Sequence, residues 1–254
     1  KMQAYNNDIE FKQKLVCMSE AHMHADEFIQ GDYGQINGSF RGCSLGCTIH
    51  DVNKIMGLKG DFSDHSFLSE SIGIPLFLTR LQESVFEGLD IDAARKWTPR
   101  FLSSIVEGVD LNPVLPIFLL KLLNNLPEQE IEEVSAAING SKKILAGWIS
   151  TGKPDFAAAA SAASAASAAS SSAAAAYDDY AADAADAAWA ASADSSASSS
   201  SSSAADDYYA ADADWAVASA SRAASAASAA DAAAYWVKTS NILIESIEQV
   251  CRKS

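Results

Sequence analysis

Between residues 8 and 149, apolar side chains recur at spacings of three and four, which gives an α-helix one apolar face. Asp8 is placed to cap the first of these helices, and Pro75 suits the first turn of another. A glycine-rich loop over residues 32–46 interrupts this pattern. Pro99 predicts a break within the helix over residues 91–106. The pattern predicts helices over residues 8–30, 48–56, 75–86, 91–106, 113–126 and 127–149.

The inner faces of the later helices supply the predicted core. His22, Asp26 and Gln30 lie four residues apart, so a first helix that reaches residue 30 would carry all three on one face. The predicted core residues are all large and apolar: Leu76, Leu78, Leu81, Phe86, Trp97, Phe101, Leu102, Ile105, Leu115, Phe118, Leu119 and Leu122.

The composition changes abruptly after Gly152-Lys153-Pro154. Over residues 156–234 nearly every residue is Ala, Ser or Asp, with occasional Tyr and Trp, and residues 236–252 return to an amphipathic pattern. Alanine is the best helix former, so we expect closely packed alanine helices with a turn at residues 198–203. The sequence therefore predicts an all-α fold. Its N-terminal helical domain covers residues 1–152, packed on or continuous with an alanine-, serine- and aspartate-rich helical region over residues 153–254.

The charge balance narrows the possible partners. The chain has 18 basic and 33 acidic residues and a formal net charge of −15, whereas duplex binding needs clustered Lys and Arg. We therefore expect no direct binding to duplex nucleic acid, and interpret the charge as a source of solubility or as a surface for a basic partner. Without an apolar membrane span or a secretion signal, the expected location is the cytoplasm, with reduced cysteines.

The glycine-rich loop carries the candidate chemistry. Cys43, Cys47 and His50 are possible zinc ligands, with His22 or His24 as a fourth. Their spacing is not a common zinc pattern, so we expect no cofactor and keep zinc as the alternative. The same residues also fit a loop in which small Cys and Gly residues pack closely, or a Cys/His nucleophilic site.

Several segments resemble a family of uncharacterised bacteriophage and bacterial proteins whose C-terminal halves are rich in alanine. The resemblance covers nearly the whole chain, although this tail is acidic and has few Arg residues. The motifs that carry the resemblance are Ala21-His22-x-x-Ala25-Asp26-x-x-Ile29-Gln30-Gly31-x-Tyr33, Gly42-Cys43-x-x-Gly46-Cys47-Thr48-Ile49-His50, Gly73-Ile74-Pro75, Phe86-Glu87-Gly88-Leu89, Trp97-x-Pro99-x-Phe101-Leu102 and Asp110-Leu111.

A phage setting, which the resemblance implies, favours a non-enzymatic binding protein. Such a protein would counter host defence by sequestering a nucleotide-like signal or by occluding a host protein. The expected ligand-binding residues are His22, Asp26, Tyr33, Arg41 and His50, together with aromatic residues of the alanine-rich half that would stack on a base.

Two alternatives come from other functional classes. One is a metal- or cysteine-dependent enzyme that uses the Cys43/Cys47/His50 loop. The other is a structural interaction protein that forms an oligomer or a partner contact through its alanine helices.

Overall fold

The computed structural model describes residues 2–37, 39–126, 128–175, 182–186, 188 and 232–254. The fold is all-α, as predicted, with one short antiparallel hairpin, β1 (Gln35–Asn37) and β2 (Ser39–Arg41). The described helices that carry labels are α1 (Ile9–His24), α2 (Ser44–Met56), α3 (His65–Ile72), α4 (Leu76–Gly88), α5 (Ile91–Ser104), α6 (Val114–Asn124), α7 (Glu132–Thr151), α8 (Phe156–Ala175) and α9 (Ala232–Cys251).

Two units make up the chain. The first contains Lys1–Asn112 and Leu243–Ser254, and the second contains Pro113–Ile242. The change of composition after residue 152 falls inside the second unit, and the domain boundary drawn there from the sequence stays a prediction.

Aspartate side chains cap the N-termini of three helices in the first unit. Asp8, Asp64 and Asp90 each accept a backbone N–H from the first turn of α1, α3 and α5. Such caps satisfy N–H groups that have no partner within the helix. Asp8 was predicted in this role and is confirmed. The α3 helix was not predicted, because it is short and mostly polar.

The predicted core is confirmed. Every residue of that list is buried, and Trp97, Phe86, Phe101 and Phe118 are among the largest fully buried side chains. The predicted interruption of α5 is wrong, because Pro99 lies inside a helix that continues from Ile91 to Ser104.

The first helix is shorter than predicted. It ends at His24, and Asp26 adopts a left-handed backbone with φ of 61°. The chain then turns away, and Phe28 forms a bridge to Gly42. A helix through residue 30 was therefore wrong, and His22, Asp26 and Gln30 do not share a helical face.

The predicted glycine-rich loop contains the hairpin and the start of α2. That helix begins at Ser44, four residues earlier than predicted, and its first turn is buried. Gly46 lies against the backbone of the preceding loop, where an added Cβ would stand 1.5 Å from the Tyr33 carbonyl oxygen. A Cβ at Gly42 would stand 2.4 Å from the same oxygen. These glycines allow the loop to pack directly on the beginning of α2.

The second unit includes α6, α7 and α8. The apolar α6 packs on α7, and α7 packs on α8. The buried stripe of α8 consists of alanines at helical spacing, whereas Ser161, Ser164 and Ser167 are exposed. The alanines of this buried stripe are Ala159, Ala163, Ala166, Ala169 and Ala173. The predicted turn at residues 198–203 lies outside the described residues.

In the part of the chain that the structure describes, no helix has both the length and the apolar character needed to cross a bilayer.

We predict that Gly46→Ala destabilises the protein by about 1–3 kcal/mol, because the new methyl group must push the Tyr33 backbone away. Gly147→Ala is the matched control: Gly147 is exposed inside α7, and its added Cβ meets nothing within 4 Å. In that variant the free energy of unfolding should rise by about 1 kcal/mol, because alanine has a higher helix propensity than glycine. Urea unfolding measures both, and equal stabilities would contradict the close approach at Gly46.

Candidate functional site

Two histidines and two carboxylates converge in the first unit. His22 lies in the last turn of α1, and His50 and Asp51 lie on α2, which packs against α1. Glu27 follows the end of α1 and is held by two backbone hydrogen bonds. Its N–H donates to the His22 carbonyl at 3.0 Å, and its carbonyl accepts the Gly42 N–H at 3.1 Å.

Both ring nitrogens of His22 face carboxylates. Nδ1 lies 2.6 Å from Glu27 Oε2, and Nε2 lies 2.9 Å from Asp51 Oδ1. Because ionised carboxylates only accept hydrogen bonds, this arrangement favours a ring in which both nitrogens carry a proton and donate. Burial acts to lower the pKa of His22, but the hydrogen bonds and charges of Asp51 and Glu27 outweigh it and raise the pKa. These contacts therefore favour the protonated form of His22.

Asp51 has more acceptor capacity than the protein uses. Its side chain is 1% exposed, and Oδ1 lies within 3.4 Å of His50 Nδ1 as well as near His22. Its other oxygen, Oδ2, is buried and has no hydrogen-bond partner among the described residues. A buried acceptor without a partner costs about 1–3 kcal/mol. Two carboxylates thus share one imidazolium, and a negative charge remains.

Aromatic rings surround the cluster. Phe40 stacks on His50 with ring centroids 4.2 Å apart, and Phe62 meets Phe40 edge to face at 4.8 Å. Phe28 lies beside His22 at 5.9 Å. Such rings exclude water from one side of the cluster, which strengthens electrostatic interactions inside it.

Three donor atoms have the separation of metal ligands. In the described part of the chain, His22, His50 and Asp51 each offer a donor atom of a type that can bind a metal ion, and these atoms lie within 4.8 Å of one another. Ligands at zinc–ligand distances of about 2.0–2.2 Å stand roughly 3.3–3.6 Å apart in a tetrahedron. The observed 2.9 Å and 3.4 Å separations between these residues are close to that range.

The structure places Cys43 and Cys47 outside this group. Cys43 Sγ accepts the Gly46 N–H at 3.5 Å and donates toward Glu83 at 3.8 Å, and Cys47 Sγ donates to the Gly42 carbonyl at 3.4 Å. Burial raises the pKa of Cys43 to about 12 and raises that of Cys47 further. Both thiols therefore stay protonated at neutral pH, whereas nucleophiles and metal ligands are thiolates.

The other predicted binding residues, Asp26, Arg41 and Tyr33, have polar partners other than His22 and His50. The carboxylate of Asp26 pairs with Arg95 at 3.0 Å, and the Arg41 guanidinium donates to the Asp26 carbonyl at 3.2 Å. Tyr33 is 43% exposed; burial and its hydrogen bond to the Glu83 carboxylate raise its pKa. Of the predicted ligand-binding residues, the structure brings His22 together with His50, and Asp26 together with Arg41.

Glu27 and Asp51 were missed in the sequence. No sequence pattern around Glu27 indicates its contact with His22, because Glu27 reaches His22 only through the turn at Asp26. Asp51 does offer one, since it shares the buried side of α2 with Leu45, Thr48 and Val52. A charged residue among buried positions needs a partner, and that requirement points to a site.

No protein-family model, curated protein or solved structure matches the chain. The resemblance to phage and bacterial proteins therefore stays a prediction drawn from the sequence.

We predict that the metal-free protein loses stability as the pH rises above 6.5, the ordinary pKa of histidine. In that range the unfolded chain has lost the His22 proton while the folded chain retains it. The unfolding free energy then falls by up to about 1.4 kcal/mol per pH unit until the pH passes the raised folded pKa. Urea unfolding in chelator across pH 6–9 measures this slope.

The ring resonances of His22, followed by NMR over the same pH range, identify the titrating group. The exposed His24 provides a second histidine signal from the same helix. A His22 midpoint at or below 6.5 would contradict the raised pKa.

Proposed function

We propose that this chain is a non-enzymatic binding protein whose ligand is a divalent transition-metal ion of the zinc class. The ligands are Nε2 of His22, Nδ1 of His50 and the carboxylate of Asp51. The observation that carries this proposal is the buried Asp51 carboxylate, which faces both histidines and retains an unpartnered oxygen.

Charge supports a cation at this place. With His22 protonated, the carboxylates of Glu27 and Asp51 are only partly compensated. A divalent ion that displaces the His22 proton neutralises both carboxylates. Electrostatic attraction is strong in a buried environment, so this neutralisation favours binding.

The donor set indicates which ions fit. Two imidazole nitrogens and a carboxylate suit zinc and its neighbours, whereas magnesium and calcium prefer oxygen ligands. Cys43 and Cys47 are not needed, and their raised pKa values disfavour thiolate ligands as well as a cysteine nucleophile.

A nucleotide-like ligand is less well supported at this cluster. Its phosphates would meet the carboxylates of Glu27 and Asp51, which repel anions. Of the aromatic residues expected to stack on a base, Tyr235 is buried. The others lie outside the described residues: Tyr177, Tyr180, Trp189, Tyr208, Tyr209 and Trp215. The role in countering host defence stays a prediction.

Metal binding is tested by native mass spectrometry, with the denatured mass as reference, after the chelator-treated protein has been mixed with zinc. We expect one ion per chain. His50→Gln removes a ligand whose side chain is 29% exposed, and it should weaken binding by more than the roughly 10–100-fold typical of changes next to a ligand. The matched control is His24→Gln, because His24 is exposed and lies outside the cluster.

A second variant separates the two possible ligand sets, which share His50. Cys43→Ser combined with Cys47→Ala removes both thiols and should retain the ion. Loss of zinc from this variant, with the fold intact by circular dichroism, would favour the cysteine set. Absence of zinc from the parent protein would overturn the proposed function.

A further inference from the structure

Glu27 contacts Nδ1 of His22, the ring nitrogen that does not face the proposed ion. Its Oε2 lies 2.6 Å from Nδ1, while Nε2 points to Asp51. The two ring nitrogens point in diverging directions, so an ion on Nε2 leaves the Nδ1–H···Glu27 hydrogen bond in place. Glu27 therefore contacts a metal ligand without being one itself.

The protein holds the Glu27 backbone firmly. Its N–H and carbonyl both bond to neighbouring segments, at His22 and at Gly42. The residue before it, Asp26, has φ of 61°, a conformation that non-glycine residues adopt at a cost. Arg95 pairs with the Asp26 carboxylate at 3.0 Å, and Arg41 donates to its carbonyl at 3.2 Å. These contacts stabilise the turn that carries Glu27.

We propose that Glu27 is the positioning residue of the metal site, an inference that rests on the proposed function. By accepting a hydrogen bond from Nδ1–H, its carboxylate keeps the proton on Nδ1 and so fixes the tautomer in which Nε2 carries the free electron pair. It also fixes the ring orientation and makes Nε2 a stronger donor. Asp26 and Arg41, which the sequence marked as ligand-binding residues, act one step further away by holding the Glu27 turn.

Glu27→Gln tests this role, because the amide keeps an acceptor of nearly the same shape and removes the charge. We expect zinc and cobalt(II) to bind about 10–100-fold more weakly, with one ion per chain retained. Glu20→Gln is the matched control: Glu20 is exposed on α1, so the variant makes the same chemical change away from the cluster. Its affinity should equal that of the parent.

The visible spectrum of bound cobalt(II) distinguishes a positioning residue from a ligand. Glu27→Gln should leave the spectrum of the saturated site nearly unchanged, whereas Asp51→Asn should alter it by replacing a ligand. A spectrum changed by Glu27→Gln would place Glu27 in the coordination sphere and overturn the positioning role.

The affinities separate this inference from the proposed function. If the parent and Glu27→Gln bind cobalt equally well, the role of Glu27 is overturned and the metal site stands. If the parent binds neither zinc nor cobalt, the proposed function itself is wrong.

Discussion

The Asp51 carboxylate lies in the core of the first unit, where an ionised group requires compensation by charge or hydrogen bonds. Its compensation comes from His22, which places the end of α1 against the middle of α2. His22 in turn requires an acceptor for its second nitrogen, and Glu27 supplies one. The packing of the two helices and the course of the chain after α1 are therefore tied to one buried charge.

The chain reaches this arrangement through backbone conformations that few residues tolerate. Asp26 turns left-handed directly after α1, which allows Glu27 to point back at the helix it has just left. Further along, Gly42 and Gly46 let the loop that contains Tyr33 lie directly on the start of α2. The first turn of that helix is thereby buried, and its N–H groups are covered by protein. This loop packs against the start of the helix that also carries His50 and Asp51 of the candidate cluster.

The all-α class, the Asp8 cap and the predicted core residues could be predicted, because they follow from residue type and spacing along single helices. The end of α1 was not, since Asp26 occupies a strained backbone conformation that is stabilised by Arg95 and Arg41 from other parts of the chain. Within the candidate cluster, the sequence singles out His22 and His50 by residue type, whereas the contact of Glu27 with His22 depends on a turn. Cys43 and Cys47 have suitable residue types, but burial, which spacing does not reveal, raises their pKa values.

Stability alone does not account for the buried charges. Replacing a buried ion pair by well-packed apolar residues is often neutral or stabilising, so the interaction of His22 with Asp51 is weak evidence for a structural purpose. An unpartnered Oδ2 on Asp51 adds a further cost to folding. The proposed ion would change this balance, because it would occupy the shared acceptor and neutralise the carboxylates. An ion that binds only the folded chain stabilises it by mass action, so binding would offset the cost of burying these charges.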